Sequence, residues 1–126
     1  MLLIKTKIGP SKIDGIGLFA DEFIAKGTMV QKFMPGFDLV ISENEIPKLS
    51  GPAREEFLKY AYKNKTGNYI LCFDNTRFLN HSDNPNLISD DPNEEVDFAA
   101  RDIQAGEELT VNYKDFDLDF DYKMNN

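Results

Sequence analysis

Apolar runs of three to six residues, separated by glycine-bearing turns, set the rhythm of this chain. Leu3–Ile8, Gly17–Ala20, Met29–Phe33, Leu39–Ile41, Tyr69–Phe73, Val96–Ala100 and Leu109–Tyr113 are rich in β-branched and aromatic residues and read as strands. Asp14-Gly15, Lys26-Gly27, Pro35-Gly36, Thr66-Gly67-Asn68 and Ala105-Gly106 read as the turns between them. One segment departs from this pattern. Ser50 can cap a helix entered through Pro52, with Glu55 and Lys59 paired at i,i+4 and Phe57, Leu58, Ala61 and Tyr62 as its apolar stripe. A shorter helical turn begins at Ser42, with Glu45 completing a capping box and Pro47 limiting it. At the end, residues 115–126 alternate acids with Phe116, Leu118, Phe120 and Tyr122, which suits an edge strand or an aromatic tail docked on the body. The expected fold is mainly β, built of several small sheets with a short helical insert.

A length of 126 residues fits one domain with a core of its own. Charge is unevenly placed. Residues 1–82 carry 11 basic and 9 acidic groups, whereas residues 83–126 carry 3 and 13, a local balance of −10. Such a field repels nucleic acid and attracts cationic peptides, so no direct nucleic-acid binding is expected. The single cysteine, Cys72, lies in an apolar run and excludes an internal disulfide framework or a cysteine-rich zinc site. No apolar run approaches the ~20 residues that a membrane-spanning helix needs. Met1-Leu2-Leu3-Ile4 meets Lys5 too soon to be a secretory core. The expected setting is intracellular and cytoplasmic, without membrane contact.

Three segments carry candidate chemistry. Lys12-Ile13-Asp14-Gly15-Ile16-Gly17-Leu18-Phe19-Ala20 places two glycines one residue apart, where backbone can approach a ligand closely. A dinucleotide fingerprint needs a third glycine opening a helix, and Phe19-Ala20-Asp21 stands there instead. Arg77-Phe78-Leu79-Asn80-His81-Ser82-Asp83-Asn84-Pro85-Asn86 holds the only histidine. No further ligand type gathers near it, and no nucleophile motif surrounds Ser82, so neither a metal site nor a hydrolase triad is indicated. Ala105-Gly106-Glu107-Glu108-Leu109-Thr110-Val111-Asn112-Tyr113 reads as a turn and a strand ending on tyrosine.

Taken in this order, the three segments resemble the SET domain of protein-lysine methyltransferases. Gly15-Ile16-Gly17-Leu18-Phe19-Ala20 is similar to the family's first glycine motif, and Arg77–Ser82 with Pro85-Asn86 to its Asn-His-Ser…Pro-Asn motif. Gly106–Thr110 with Tyr113 is similar to its Gly-Glu-Glu-Leu-Thr-x-x-Tyr motif. The resemblance implies a SET β-clip over residues 1–114, with pseudoknot-like threading near the C-terminus, and a tail, 115–126, that packs on the domain or extends it. It also implies departures. Asp83 stands where many relatives carry a zinc-binding cysteine, the tail has no cysteine, and Asn112 replaces the usual aspartate before the tyrosine. These point to a minimal, free-standing form without post-SET zinc, similar to bacterial or viral members, with a host nucleus as a further possible setting.

The resemblance further implies S-adenosylmethionine as methyl donor, with no metal. Ile16, Gly17, Asn80 and His81 would hold it, largely through backbone, and Phe116 or Phe120 would cover its adenine, unless they form an edge strand. Tyr113 would be catalytic. Tyr60, Tyr62 and Tyr69 are candidates for the walls of a substrate channel, with Val111 two positions before Tyr113; Tyr62 could equally be core. The implied partner is a lysine-bearing basic protein such as a histone. Two other readings are a catalytically silent SET-like binding module and an acidic decoy for a basic protein.

Overall fold

The computed structural model describes residues 1–91 and 95–124. Ten short strands and two helices are described, grouped into four small sheets. Strands β1 (Thr6–Pro10) and β2 (Ile16–Ala20) form an antiparallel hairpin across the first glycine turn. Strand β3 (Met29–Lys32) pairs with β9 (Val96–Ala99), which also pairs with β8 (Leu87–Asp91). Strand β4 (Leu39–Ile41) pairs with β6 (Tyr69–Leu71), and β6 with β5 (Tyr62–Lys63). The fourth sheet joins β7 (Asn80–His81) to β10 (Thr110–Val111) in parallel.

That parallel pair decides the architecture. Parallel neighbours need a long crossover, and here the connection between them carries β8 and β9. On its way back the chain runs alongside β2: Gly106 N–H donates to Ala20 O, Ala20 N–H to Glu107 O and Leu109 N–H to Leu18 O, at 2.7–2.9 Å. Residues 106–111 are therefore clasped between β2 and β7. The three segments singled out in the sequence meet in space.

Two apolar clusters hold this arrangement. Leu18, Val30, Leu87, Ile103, Leu109 and Val111 are fully buried in the larger. Each such side chain is worth about 1.5–3 kcal/mol when withdrawn from water. Ile46, Ala61 and Tyr69 centre the smaller cluster under the helical insert.

Most expected elements are present, with shifted ends. The first strand begins at Thr6 rather than Leu3, because the preceding residues lie along β3 instead, Leu3 N–H donating to Val30 O at 2.8 Å. Helix α1 (Gly51–Tyr60) starts at Ser50, whose hydroxyl accepts Ala53 N–H. It stops two residues before Tyr62: Ala61 caps it and Tyr62 belongs to β5, paired with Ile70. Lys59 pairs with Asp14 at 4.0 Å, not with Glu55. Ser42 caps a 3-10 turn over Glu43–Lys48, yet the Glu45 carboxylate binds Lys48 at 2.7 Å rather than closing a capping box. The expected strand 109–113 is cut to two residues. Asn112 turns the chain by accepting Lys114 N–H with its side-chain oxygen, opening a 3-10 turn at Tyr113–Asp115.

The tail is not an edge strand. It continues into a short helix, α2 (Phe120–Met124), and is pinned to β5 by Leu118 N–H donating to Lys63 O at 2.9 Å. Lys63 N–H returns a bond to Asp117 Oδ1 at 3.0 Å. The side chain of Tyr122 lies outside the described ones.

Cys72 is buried, and burial pushes its thiol up to about 12. Thiolate is the reactive form. Alkylation of the folded protein at pH 8 is therefore expected to be at least ~100-fold slower than in denaturant, and equal rates read by mass spectrometry would place Cys72 at the surface.

Candidate functional site

The glycine turn, β7 and the 106–111 segment are tied together by four side chains. Gly15 lies at φ +46, a left-handed conformation that an L side chain resists. Gly17 is packed so closely that an added Cβ would lie 2.6 Å from Glu108 Oε2 and 3.0 Å from Ser11 Cβ. The space a side chain would need is taken by the clasp itself. Ser11 Oγ donates to the Glu108 carboxylate at 2.8 Å, and Asn80 Nδ2 lies 2.9 Å from Glu108 Oε2 and 3.1 Å from both Ser11 Oγ and Asp14 O. Asn86, 3% exposed, uses both ends of its amide: Nδ2 donates to Glu108 O at 2.8 Å and Oδ1 accepts Thr110 N–H at 2.9 Å. The side chains of Asn80, Asn86 and Glu108 are thus engaged in assembling the site.

His81 turns the other way. Its Nδ1 accepts Tyr113 N–H at 3.1 Å, which leaves Nε2 to face Asp83 Oδ1 at 2.9 Å. Asp83 therefore orients a histidine here. The ring of His81 packs 5.3 Å from that of Tyr113 and 5.4 Å from Phe120. Among the described residues no group of three or more His, Cys, Asp or Glu could hold a metal ion.

Two concavities meet at Tyr113. An outer cleft of about 710 Å³ is bordered by Ile13, Asp14, Ile16, Asn80, His81 and Phe78. A smaller inner pocket of about 60 Å³ shares part of its wall, bordered by Tyr62, Val111, Phe116, Glu95 and Asp97. Lys59, Tyr60, Arg77, Leu79, Tyr113 and Lys123 belong to both. The Tyr113 hydroxyl donates to Leu79 O at 2.7 Å. Burial, with Asp117 nearby, pushes its pKa well above the usual phenol value, so the group stays protonated.

The inner pocket has aromatic walls and an acidic end. Phe116 meets Tyr62 edge to face at 5.3 Å, and Tyr113 at 6.0 Å. Asp97 accepts from Gln31 Nε2 at 2.6 Å and Ser89 Oγ at 2.5 Å, and desolvation raises its pKa. Desolvation likewise raises that of Glu95, against the hydrogen bonds it receives from Tyr62 and Asn64. Tyr62 in turn is pushed far up by burial and then by Glu95.

The sequence pattern of the SET domain family matches residues 15–114. The chain belongs to the SET domain family. Its curated relative, the histone-lysine N-methyltransferase trr of Drosophila melanogaster, is 32% identical over 126 residues, which is 86% of this chain and 5% of that protein's length. Among solved structures, Polycomb Repressive Complex 2 of Chaetomium thermophilum bound to S-adenosylmethionine is 25% identical with a TM-score of 0.67, covering 97% of this chain and 16% of the other. A Plasmodium falciparum candidate histone methyltransferase of similar size shares the fold, with a TM-score of 0.62, 24% identity and coverage of 89% and 95%. The mainly β architecture of small sheets is the one these neighbours have.

Within this SET domain, Ile16, Asn80, His81 and Tyr113 converge on the outer cleft, and Tyr62 and Val111 border the inner pocket. Gly17 is buried behind the cleft wall, holding the clasp. Two of the candidate residues lie away from the cleft. Phe116 borders the inner pocket, where the 3-10 turn at Tyr113 directs it towards Tyr62. Tyr69 borders neither; β6 carries it into the smaller core, edge to face with Phe57 at 5.9 Å. Alternation along so short a strand cannot tell which face meets the core. Lys123 and Asp117 are site neighbours that no motif marked, since only the fold of the tail brings them to Tyr113.

Proposed function

We propose that this SET domain transfers a methyl group from S-adenosylmethionine to a lysine side chain of a basic protein. The observation that carries the reading is Tyr113, which borders both the larger cleft and the smaller aromatic pocket. A volume of about 710 Å³ is within the usual range for small-molecule sites, roughly 300–1,000 Å³. The wall residues suit the donor: Arg77 and Lys59 can meet a carboxylate, and the flat faces of Phe78, Tyr60 and His81 can meet an adenine. S-adenosylmethionine supplies an electrophilic methyl on a cationic sulfur.

The chain's own part is positioning and polarity. The single hydroxyl proton of Tyr113 is committed to Leu79 O, so its oxygen lone pairs are left to accept weak C–H···O contacts from a polarised methyl. Its raised pKa keeps Tyr113 protonated at neutral pH, so no phenolate is available to take the lysine's proton. Loss of the proton from a lysine ammonium costs roughly 4–5 kcal/mol at pH 7, and desolvation between the rings of Tyr62, Phe116 and Tyr113 lowers that cost. The same ring faces accommodate a cation on its way in.

The experiment is transfer of tritiated methyl from the labelled donor to core histones and ribosomal proteins. Incorporation at lysine supports the reading; donor binding without incorporation into any basic protein, or no donor binding by calorimetry, overturns it. The acidic half of the chain gives a second measurement. Exposed charges act over a Debye length of ~8 Å at physiological ionic strength and mainly affect association rate. Raising salt from about 0.05 to 0.5 M is therefore expected to lower kcat/KM for a basic peptide by about tenfold or more, and that for a neutral peptide with the same lysine much less. Equal salt dependence would take substrate steering away from residues 83–126.

A further inference from the structure

Lys59 and Lys123 each border both the cleft and the inner pocket. They differ in setting. The Lys59 side chain is 51% exposed and reaches Asp14 at the surface. That of Lys123 is 9% exposed, with Nζ 2.7 Å from Asp117 Oδ2 and 4.9 Å from the centre of the Tyr113 ring. The Asp117 carboxylate is fully buried and is held without help from the lysine, since Oδ1 accepts N–H bonds from Lys63 and Asp119 at 3.0 and 2.9 Å. Oδ2 has no hydrogen-bond donor beyond the ammonium among the described residues. A fixed, buried carboxylate oxygen beside a half-buried aromatic face is what a cation needs. The anchors of Asp117 and Leu118 lie on β5, whereas Lys123 rides on α2, after those anchors.

We propose that Asp117 Oδ2 and the face of Tyr113 form a binding site for a primary alkylammonium, filled from within by Lys123, so that α2 must withdraw before a lysine of another protein can enter. Only the last clause rests on the methyltransferase reading. A lysine tethered five residues from the Leu118 anchor competes at an effective concentration in the millimolar range. An external lysine therefore binds with an affinity reduced by the fraction of time the site is free.

The test uses n-butylammonium chloride as probe and sodium chloride as ionic control, with no methyl donor present. Lys123→Ala is expected to bind the amine saturably, read as shifts of the Tyr113 ring signals and a rise in Tm. Wild type and Lys123→Arg, which keep a tethered cation, are expected not to bind it. Should Lys123→Ala unfold alone, recovery of its fold by the amine and not by sodium chloride supports the site, and failure to recover overturns it. Equal responses of wild type and Lys123→Ala also overturn it. In a second arm, KM for a lysine peptide is expected to fall about tenfold in Lys123→Ala, as the competing occupant is removed; an unchanged KM overturns the displacement. Peptide methylation by wild type judges the methyltransferase reading separately. Amine binding without methylation of any protein would leave the ammonium site standing and remove that reading.

Discussion

Tyr113→Phe is expected to lower methyl transfer by at least ~100-fold while leaving binding of the methyl donor within a few-fold. Removing one preorganised polar group that acts on the transition state typically costs about 2.7–4 kcal/mol. In the proposed reaction the phenol oxygen would be such a group, because its proton is spent on Leu79 O and its lone pairs are free. The same change removes the hydrogen bond to the carbonyl of Leu79, the buried residue just before β7, a structural loss of about 1 kcal/mol. Calorimetry with S-adenosylhomocysteine, a thermal melt and single-turnover transfer separate the two effects. Transfer at the wild-type rate by a folded Tyr113→Phe protein would make Tyr113 an ordinary wall residue.

Asn86→Ala is expected to destabilise the fold by about 3 kcal/mol, because Thr110 N–H and Glu108 O lose their partner in a buried place and each unsatisfied group costs about 1–3 kcal/mol. For a domain of this size 1 kcal/mol shifts Tm by roughly 4 °C, so a fall near 10 °C should be read in the melt. Asn84, two residues earlier and exposed, is the control: Asn84→Ala should stay within about 0.5 kcal/mol. If the two variants melted together, the amide of Asn86 would not be the clasp that holds β10 beside β7. Donor binding should weaken in Asn86→Ala as well, since the cleft wall is built from the strands it joins.

Much of this was legible in the sequence, for identifiable reasons. Glycine turns punctuate short β-branched runs, and six of the seven expected runs contain a described strand within one residue of their start, Leu3–Ile8 being the exception. Ser50 and Pro52 define the helix start because capping is a local matter of one side chain and the next three N–H groups. The three motif segments named the family, and Ile16, Asn80, His81 and Tyr113 do meet at one cleft.

What the sequence could not decide were the places where local signals tie. Two-residue strands such as β5, β7 and β10 have too few positions to show alternation, and their partners are far along the chain. Tyr62 and Tyr69 lie on paired strands seven residues apart, yet β5 turns one towards the inner pocket while β6 carries the other into the core. Phe116 falls on the pocket side because Asn112 caps a turn that ends the strand. Asp117 and Lys123 read as ordinary tail charges until Lys63 of β5 fixes the carboxylate beside Tyr113. Composition and motif spacing determined the strands, the turns and the chemistry that the chain could carry. Long-range backbone pairing, which depends on residues dozens of positions apart, decided which aromatic rings and which ammonium face that chemistry.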